Sequence, residues 1–363
     1  MESFVSIAPG RVCLFGEHQD YLGLPVIAFA LPLTCRIHVT PTSSRSLELQ
    51  VPALNQTIIY DLDHLPLRQS SHTSSPDFAL AAIHEALDEG WEFSHGAVCI
   101  SSTDIVMQAG CSSSSAFCVA WIQVLAKLAG RADGLRSDPL QLARRAHQAE
   151  VVHFGAPGGT MDHVTSAVGG SCLRIGPGMW EITKLRALSS SEDGVWVLAD
   201  SGDPKDTMKH LKRCKADRLA LFEELGGSWD APHDHLGDEK LQLLKATLVN
   251  RDTESQAAAL WTSPKAPKPI GPQLGALMHK HHDALEKGLR LSTHRLEAMR
   301  TAAMNAGAWG FKLVGSGGGG CAVAWTPRGN AESVAQAMVQ AGAKSTWIID
   351  RPCEGARIEL PSN

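Results

Sequence analysis

The stretch "MQAGCSSSSAF", residues 107–117, constrains this chain more than any other because of what lies on either side of it. Before it, "GAVCISS" is a short apolar and β-branched run that reads as a strand. After it, "AFCVAWIQVLAKLAG" is apolar nearly all round, the mark of a helix buried on every side. Serines in that position form either a soft polar tract with one N-capping hydroxyl or a cradle for an anion. The cradle has a physical basis. The first N–H groups of a helix lack intrahelical partners, the helix dipole adds partial positive charge there, and hydroxyls donate to phosphate oxygens or ligate Mg²⁺. On this loop alone both readings stand.

The rest of the composition narrows the class. With 44% hydrophobic and 20% charged residues among 363, the chain is neither charge-rich like a disordered segment nor apolar enough for a membrane. A formal charge of −5 gives no field that would draw it to nucleic acid. No apolar run approaches the roughly 20 residues a bilayer requires. The start "MESFVSIAPGRV" lacks a basic segment followed by an apolar one, so a cytoplasmic location is expected. Nine scattered cysteines without a CxxC pair read as reduced, mostly buried thiols. The cluster "HKHH" at 279–282 reads as a helix face, and the tryptophans as core or interface.

Along the chain, "CRIHVTPT", "LELQVPA" and "TIIYDLD" continue an opening of strands. Helices are predicted at about 77–89, at 138–153 after an Asp-Pro cap, and for one turn from Met161 to Ala167. A strand "GVWVLADSG" follows a polar stretch near 185–194 that suits a domain boundary, giving domains 1–188 and 189–363. Further helices are predicted at about 204–223, 238–250, 272–288 and 292–306. "GFKLVGSGGGGCAVAW" places a glycine loop between two strands, and a helix "AESVAQAMVQAG" and a strand "STWIID" close the pattern.

Three further segments carry chemistry. The glycine loop 315–320, including Gly317 and Gly318, is either a tight turn or a place where backbone approaches a ligand closely. "APGRVCLFGEHQDYLG" packs Arg11, Glu17, His18 and Asp20 around a glycine, which suits either a solvated turn or recognition of a polyhydroxylated ligand. Glu150 and Asp162, twelve positions apart across a glycine loop, could serve as Mg²⁺ ligand and general base. Neither loop carries a Gly-Lys-Ser/Thr triplet, and no GxGxxG opens a βαβ unit.

Taken in order, "GRVCLFGEHQDYLG", "AGCSSSSAF" and "KLVGSGGGGCAV" resemble the three motifs of the GHMP kinases, the family of galactokinase, homoserine, mevalonate and phosphomevalonate kinases. The resemblance implies an α+β fold of two domains, the first like ribosomal protein S5 domain 2 and the second ferredoxin-like, with the active site in the cleft between them. It implies ATP and Mg²⁺ as cofactors. Ser114 then matches the Mg²⁺-ligating serine and Glu150 the acidic ligand, while Gly110, Cys111, Ser112, Ser113 and Ser115 cradle the phosphates together with Gly317 and Gly318. Asp162 matches the aspartate proposed as base for the acceptor hydroxyl, and Arg11 the catalytic arginine that neighbours this aspartate and the transferring phosphoryl group.

"GEHQDY" resembles the galactokinase signature "GEHTDY", which implies that Glu17, His18, Asp20 and Asp162 bind a sugar. The expected product is a sugar 1-phosphate, from a monomer or homodimer whose partner is a small sugar or related alcohol. Departures exist: "YLGL" stands at 21–24 in place of "YNGG", "GSGGGGC" is closer to mevalonate kinase, and no tyrosine occurs in "MKHLKRCKADR". A mevalonate kinase-like enzyme is therefore the alternative, and a non-catalytic sugar or ATP sensor the second.

Overall fold

The opening residues fold as two long antiparallel strands, β1 (Phe4–Phe15) and β2 (Val26–Thr42), with β1 buried almost throughout. The computed structural model describes residues 1–70, 73, 75–176, 180–186, 194–204, 207–266 and 268–360. Around the first hairpin gather β3 (Ser46–Val51), β4 (Gln56–Asp61), β5 (Gly96–Thr103), β6 (Leu173–Ile175) and β7 (Ile182–Lys184). All pair antiparallel except β3 with β5. On this sheet lie α2 (Ser113–Leu128) and α5 (Met161–Val168), and against α2 in turn pack α1 (Phe78–Asp88), α3 (Ala132–Ser137) and α4 (Pro139–His147). The predicted Asp-Pro cap at 138 is in place, and the helix at 78–88 has a cap of its own. Asp77 accepts from the Leu80 N–H at the start of α1, and Asp138 from those of Leu140 and Gln141 at the start of α4.

A second, wholly antiparallel sheet runs β11-β8-β10-β9, from β8 (Val195–Asp200), β9 (Gly310–Leu313), β10 (Cys321–Thr326) and β11 (Ser345–Ile349). Its helices are α6 (Thr207–Glu224), α7 (Asp238–Thr262), α8 (Gly271–Asp283), α9 (His294–Asn305) and α10 (Ala331–Gln340). The two sheets meet through aromatic rings. Phe29 of β2 sits 4.6 Å from Trp196 of β8, which is 4.6 Å from Trp325 of β10, all in one apolar cluster. A final strand, β12 (Arg357–Glu359), then returns to pair with β1 of the first sheet.

The fold is α+β, as the motifs imply. The predicted division at residue 188 falls outside the described residues. α7 runs to Thr262, past the predicted end at 250, because "NRDTES" breaks the apolar period although Asn250, Thr253 and Glu254 are buried. Glu254 is held there by Arg174 through two hydrogen bonds of 2.7 and 3.1 Å. β6, β7 and β12 were not predicted; three residues are too few to show a period of two. All nine cysteines are free thiols, eight of them buried. No helix among the described residues is long and apolar enough to cross a membrane.

Candidate active site

Register shifts in the β1–β2 pairing flank Arg11, and such bulges re-aim side chains. Arg11 accordingly points at α5. Its Nε and Nη2 both lie 2.7 Å from Oδ1 of Asp162, and its Nη1 donates to the Gly110 carbonyl of the serine loop. Arg11 is 6% exposed and Asp162 28%, so the carboxylate, not the guanidinium, faces the open cleft. Burial alone would raise the Asp162 pKa, but the charge and hydrogen bond of Arg11 hold it below the usual carboxylate range. Burial opposes the Arg11 charge in turn, and Asp162 more than restores it.

The helix that α4 begins ends in one π-helical turn, Gln148–Val152, which carries Glu150. Its Oε2 lies 2.6 Å from Nε2 of His163, and the hydroxyls of Ser114 and Ser115 point at the same carboxylate. Burial opposes ionisation of Glu150, and the His163 hydrogen bond outweighs it, so its pKa is lowered. A carboxylate and a hydroxyl meeting at the start of α2 form the hard-oxygen donor set that Mg²⁺ takes, so the residues present fit that ion.

Asp20 faces Asp162 from the other side. Its oxygens accept from the Tyr21 N–H at 2.9 Å and the Met161 N–H at 3.3 Å. Burial and the negative charge of Asp162 raise its pKa. The carboxylate packs on the backbone at Gly159, where a Cβ would come within 2.1 Å of Oδ2. Gly315 is a similar wedge: with φ of +73°, its hydrogen-side face lies against the Gly110 backbone, so the glycine and serine loops touch.

The cleft, of about 860 Å³, collects Arg11, Glu17, His18, Asp20, Gly110, Ser112, Ser113, Ser114, Ser115, Glu150 and Asp162 along one surface. Of the predicted phosphate residues, Cys111 is buried beneath the loop, and Gly317 and Gly318 turn toward Leu291 and His210, leaving Gly315 and Ser316 on the cleft. Two residues expected to contact the sugar, Glu17 and His18, also have partners within the protein. Glu17 is fully buried and pairs with the ammonium of Lys312, because that equally buried cation requires a carboxylate. His18 has Nδ1 2.9 Å from the Tyr21 hydroxyl and Nε2 3.2 Å from the Ser316 carbonyl, so its nitrogens are engaged within the protein.

Sequence reasoning missed His163, Tyr21 and Ser316. The clearest signal is conformational rather than compositional. Among the described residues, three of the five non-glycine positions with positive φ (His18, Gln108 and Ser112) line this cleft, and strained backbone gathers at functional sites. A second hollow of about 870 Å³, around Arg45, Trp91, Phe93 and Arg131, contains none of these groups.

The "HKHH" segment lies on α8, as expected, and one of its histidines has carboxylate neighbours. Ligand-type atoms of His282, Glu286 and Glu297 lie within 4.8 Å of one another. Their protons are already assigned, however. Nδ1 of His282 accepts from the Leu313 N–H at 3.1 Å, so Nε2 carries the proton and donates to Glu297 at 2.8 Å. Arg300 supplies the cation, reaching Glu286 at 3.2 Å and Glu297 at 3.3 Å.

A cradle of hydroxyls and helix N–H groups opposite an ionised carboxylate meets the needs of phosphoryl transfer to a hydroxyl, and the chain is a phosphotransferase with an alcohol acceptor. Residues 77–170 match the GHMP kinases N terminal domain, residues 271–344 the GHMP kinases C terminal family, and residues 1–41 the galactokinase galactose-binding signature. The chain belongs to the GHMP kinase family.

It is 28% identical over 366 residues to a galactokinase of Mycobacterium bovis, covering 98% of this chain and 97% of the relative. It is also 28% identical over 357 residues to a mevalonate kinase of Thermococcus onnurineus, covering 97% of each. The solved galactokinase of Lactococcus lactis, complexed with galactose, superimposes with a TM-score of 0.83 at 20% identity, over 98% of this chain and 95% of that one. A mevalonate kinase structure gives 0.69 at 19% identity, over 98% and 99%.

Proposed function

We propose that this enzyme transfers the γ-phosphoryl group of ATP to a sugar, at the anomeric hydroxyl, to give a sugar 1-phosphate and ADP. The observation that carries this reading is the Arg11–Asp162 pair, which faces Asp20 on one side and the serine loop on the other. The match of residues 1–41 to a galactose-binding signature supports a sugar as acceptor.

The triphosphate would lie along the N-terminus of α2, with Ser112 to Ser115 and the N–H groups around them as donors. Ser114 and Glu150 would hold Mg²⁺, which when bound neutralises charge on the phosphate oxygens. His163 keeps the Glu150 carboxylate turned toward the serines.

Asp162 accepts the hydrogen bond of the acceptor hydroxyl and so aims its oxygen at the γ-phosphorus. The new O–P bond forms as the bond from that phosphorus to the ADP oxygen breaks. Because its pKa lies below the usual range, Asp162 is a weak proton acceptor at neutral pH. It orients the hydroxyl, and takes its proton only as the oxygen becomes bonded to phosphorus. Arg11 lies beside that developing charge. Asp20, opposite, accepts from a second hydroxyl of the sugar.

The mevalonate reading rests on Lys312 and "GSGGGGC", and on relatives of equal identity. One experiment separates the two: ADP release from Mg-ATP with galactose, other aldoses, uronic acids and mevalonate as acceptors. The proposal expects release with an aldose or uronic acid and none with mevalonate. Release with mevalonate alone would overturn it.

A further inference from the structure

We propose that His18 and Tyr21 are positioning residues that couple α6 to the glycine loop, so that this histidine serves the phosphate side of the cleft rather than the acceptor. The inference rests on the kinase reading for its kinetic consequence, but not for its structural core.

The protons of this hydrogen-bonded chain are fixed at its two ends. Arg218 of α6 is fully buried, and a guanidinium has donors only. Its Nε donates to the Cys214 carbonyl at 3.0 Å and its Nη2 to the Tyr21 hydroxyl at 2.6 Å. The Tyr21 oxygen is thereby an acceptor from Arg218, and its single proton remains for Nδ1 of His18 at 2.9 Å. Burial keeps that phenol protonated. With Nδ1 accepting, the neutral imidazole carries its proton on Nε2, which donates to the Ser316 carbonyl at 3.2 Å. A carbonyl accepts only. The direction of every bond from Arg218 to Ser316 therefore follows from the two ends, and the Nε2–H tautomer of His18 is assigned without observing a proton.

Geometry shows why such a chain is needed. His18 stands in left-handed backbone, φ +62°, and its ring meets the glycine loop at the Ser316 carbonyl. The guanidinium of Arg218 and the ammonium of Lys215 each lie 5.6 Å from the centre of the Tyr21 ring and fix it. At the far end, Ser316 lies between Gly315, wedged against Gly110 of the serine loop, and Gly317, packed on Leu291. Its own Oγ is buried without a hydrogen-bond partner and lines the cleft. Holding the Ser316 carbonyl sets the orientation of that peptide, and with it where the spare hydroxyl and the loop N–H groups point. A phosphate oxygen is the partner such donors suit.

Two measurements on the full chain test this. Imidazole ¹⁵N spectra should show His18 as the Nε2–H tautomer in the wild type. Tyr21→Phe should remove the hydrogen bond at Nδ1 and shift that nitrogen alone. An Nδ1–H tautomer or an imidazolium at neutral pH would overturn the assignment, whatever the enzyme phosphorylates. In kinetics, Tyr21→Phe should raise the KM for ATP about tenfold, the equivalent of one hydrogen bond, and the acceptor KM by no more than about twofold.

His18→Gln, whose amide can accept from Tyr21 and donate to Ser316, should recover most of the nucleotide affinity that His18→Leu loses. A rise in the acceptor KM with the ATP KM unchanged would return His18 to the sugar and refute the coupling. Should a variant melt below assay temperature, the wild-type tautomer still decides. Should no acceptor release ADP, nucleotide affinity by calorimetry replaces the ATP KM.

Discussion

On one side of the glycine loop, Arg11, Asp162, Glu150 and His163 stand around an open cleft. On the other, Lys312 and Glu17 are fully buried, and His282, Glu297 and Arg300 bind one another. The residue types are nearly the same, but the cation of the closed cluster has every donor engaged. The three donors of the Lys312 ammonium go to the Cys13 and Leu313 carbonyls and to Glu17, so this cation has no donor left for a ligand, while Glu17 Oε2 is buried without a hydrogen-bond partner. In the cleft, Asp162 stays partly exposed, Ser114 is exposed and Ser316 Oγ has no partner. Charge alone does not mark a site; charge with unspent hydrogen-bonding groups that open on a cleft does.

The contrast is sharpest at its centre. Asp162→Asn keeps the shape and removes the charge, so turnover should fall about 10²- to 10⁴-fold, the usual contribution of a positioned acid or base, with nucleotide affinity nearly unchanged. Single-turnover phosphate transfer and nucleotide titration check this, and an unchanged rate would remove Asp162 from the chemistry.

The closed cluster should answer in stability instead. Lys312→Met leaves Glu17 buried and unpaired, at a cost of about 3–5 kcal/mol. Adding Glu17→Gln should restore much of that loss in urea unfolding. If the double variant is no more stable than the single one, the pair is not the closed unit described.

Smaller effects follow from pH. Asp20 titrates at higher pH than its ordinary value and Asp162 at lower. As pH falls, Asp20 therefore protonates first, and the acceptor KM should rise before kcat declines. Asp20→Asn should remove that early limb and leave an acceptor KM raised about tenfold at all pH values, the loss of one charged hydrogen bond.

On the closed side, burial works against ionised Glu297, but His282 and Ser292 hold its pKa down from 4.5 to about 2. A depressed carboxylate contributes stability that is present above its unfolded pKa and lost as pH falls through the folded one. Acid unfolding should thus steepen between about pH 4.5 and 2. Glu297→Gln should flatten that window, with a loss near neutrality of about 1 kcal/mol.

Sequence made the open cluster legible and the closed one nearly invisible, for a physical reason. The serine loop, the "GEHQDY" turn and the glycine loop are local: each is a few residues whose backbone must approach a ligand, and composition announces that. Glu17 and Lys312 lie 295 positions apart, so nothing near either one shows that they neutralise each other. The motif around Glu17 and His18 was therefore readable as functional, while their partners within the protein, Lys312, Tyr21 and the Ser316 carbonyl, were not. α7 is a parallel case in the fold, since its buried polar face at Asn250 to Glu254 looks like a helix end until Arg174 is seen against it.

The return of the chain to its first sheet has a consequence in time. β12 lies along β1, and just before it the Gly170 N–H donates to the Cys353 carbonyl and the Ala356 N–H to the Ser166 carbonyl, next to the end of α5. The helix that presents Asp162 is thus braced by residues synthesised almost two hundred positions later. A ribosome that has delivered every motif residue has not yet delivered this brace. Stalling, or proteolysis after Ile349, would leave a chain with all its chemistry and no clamp on the helix that aims it.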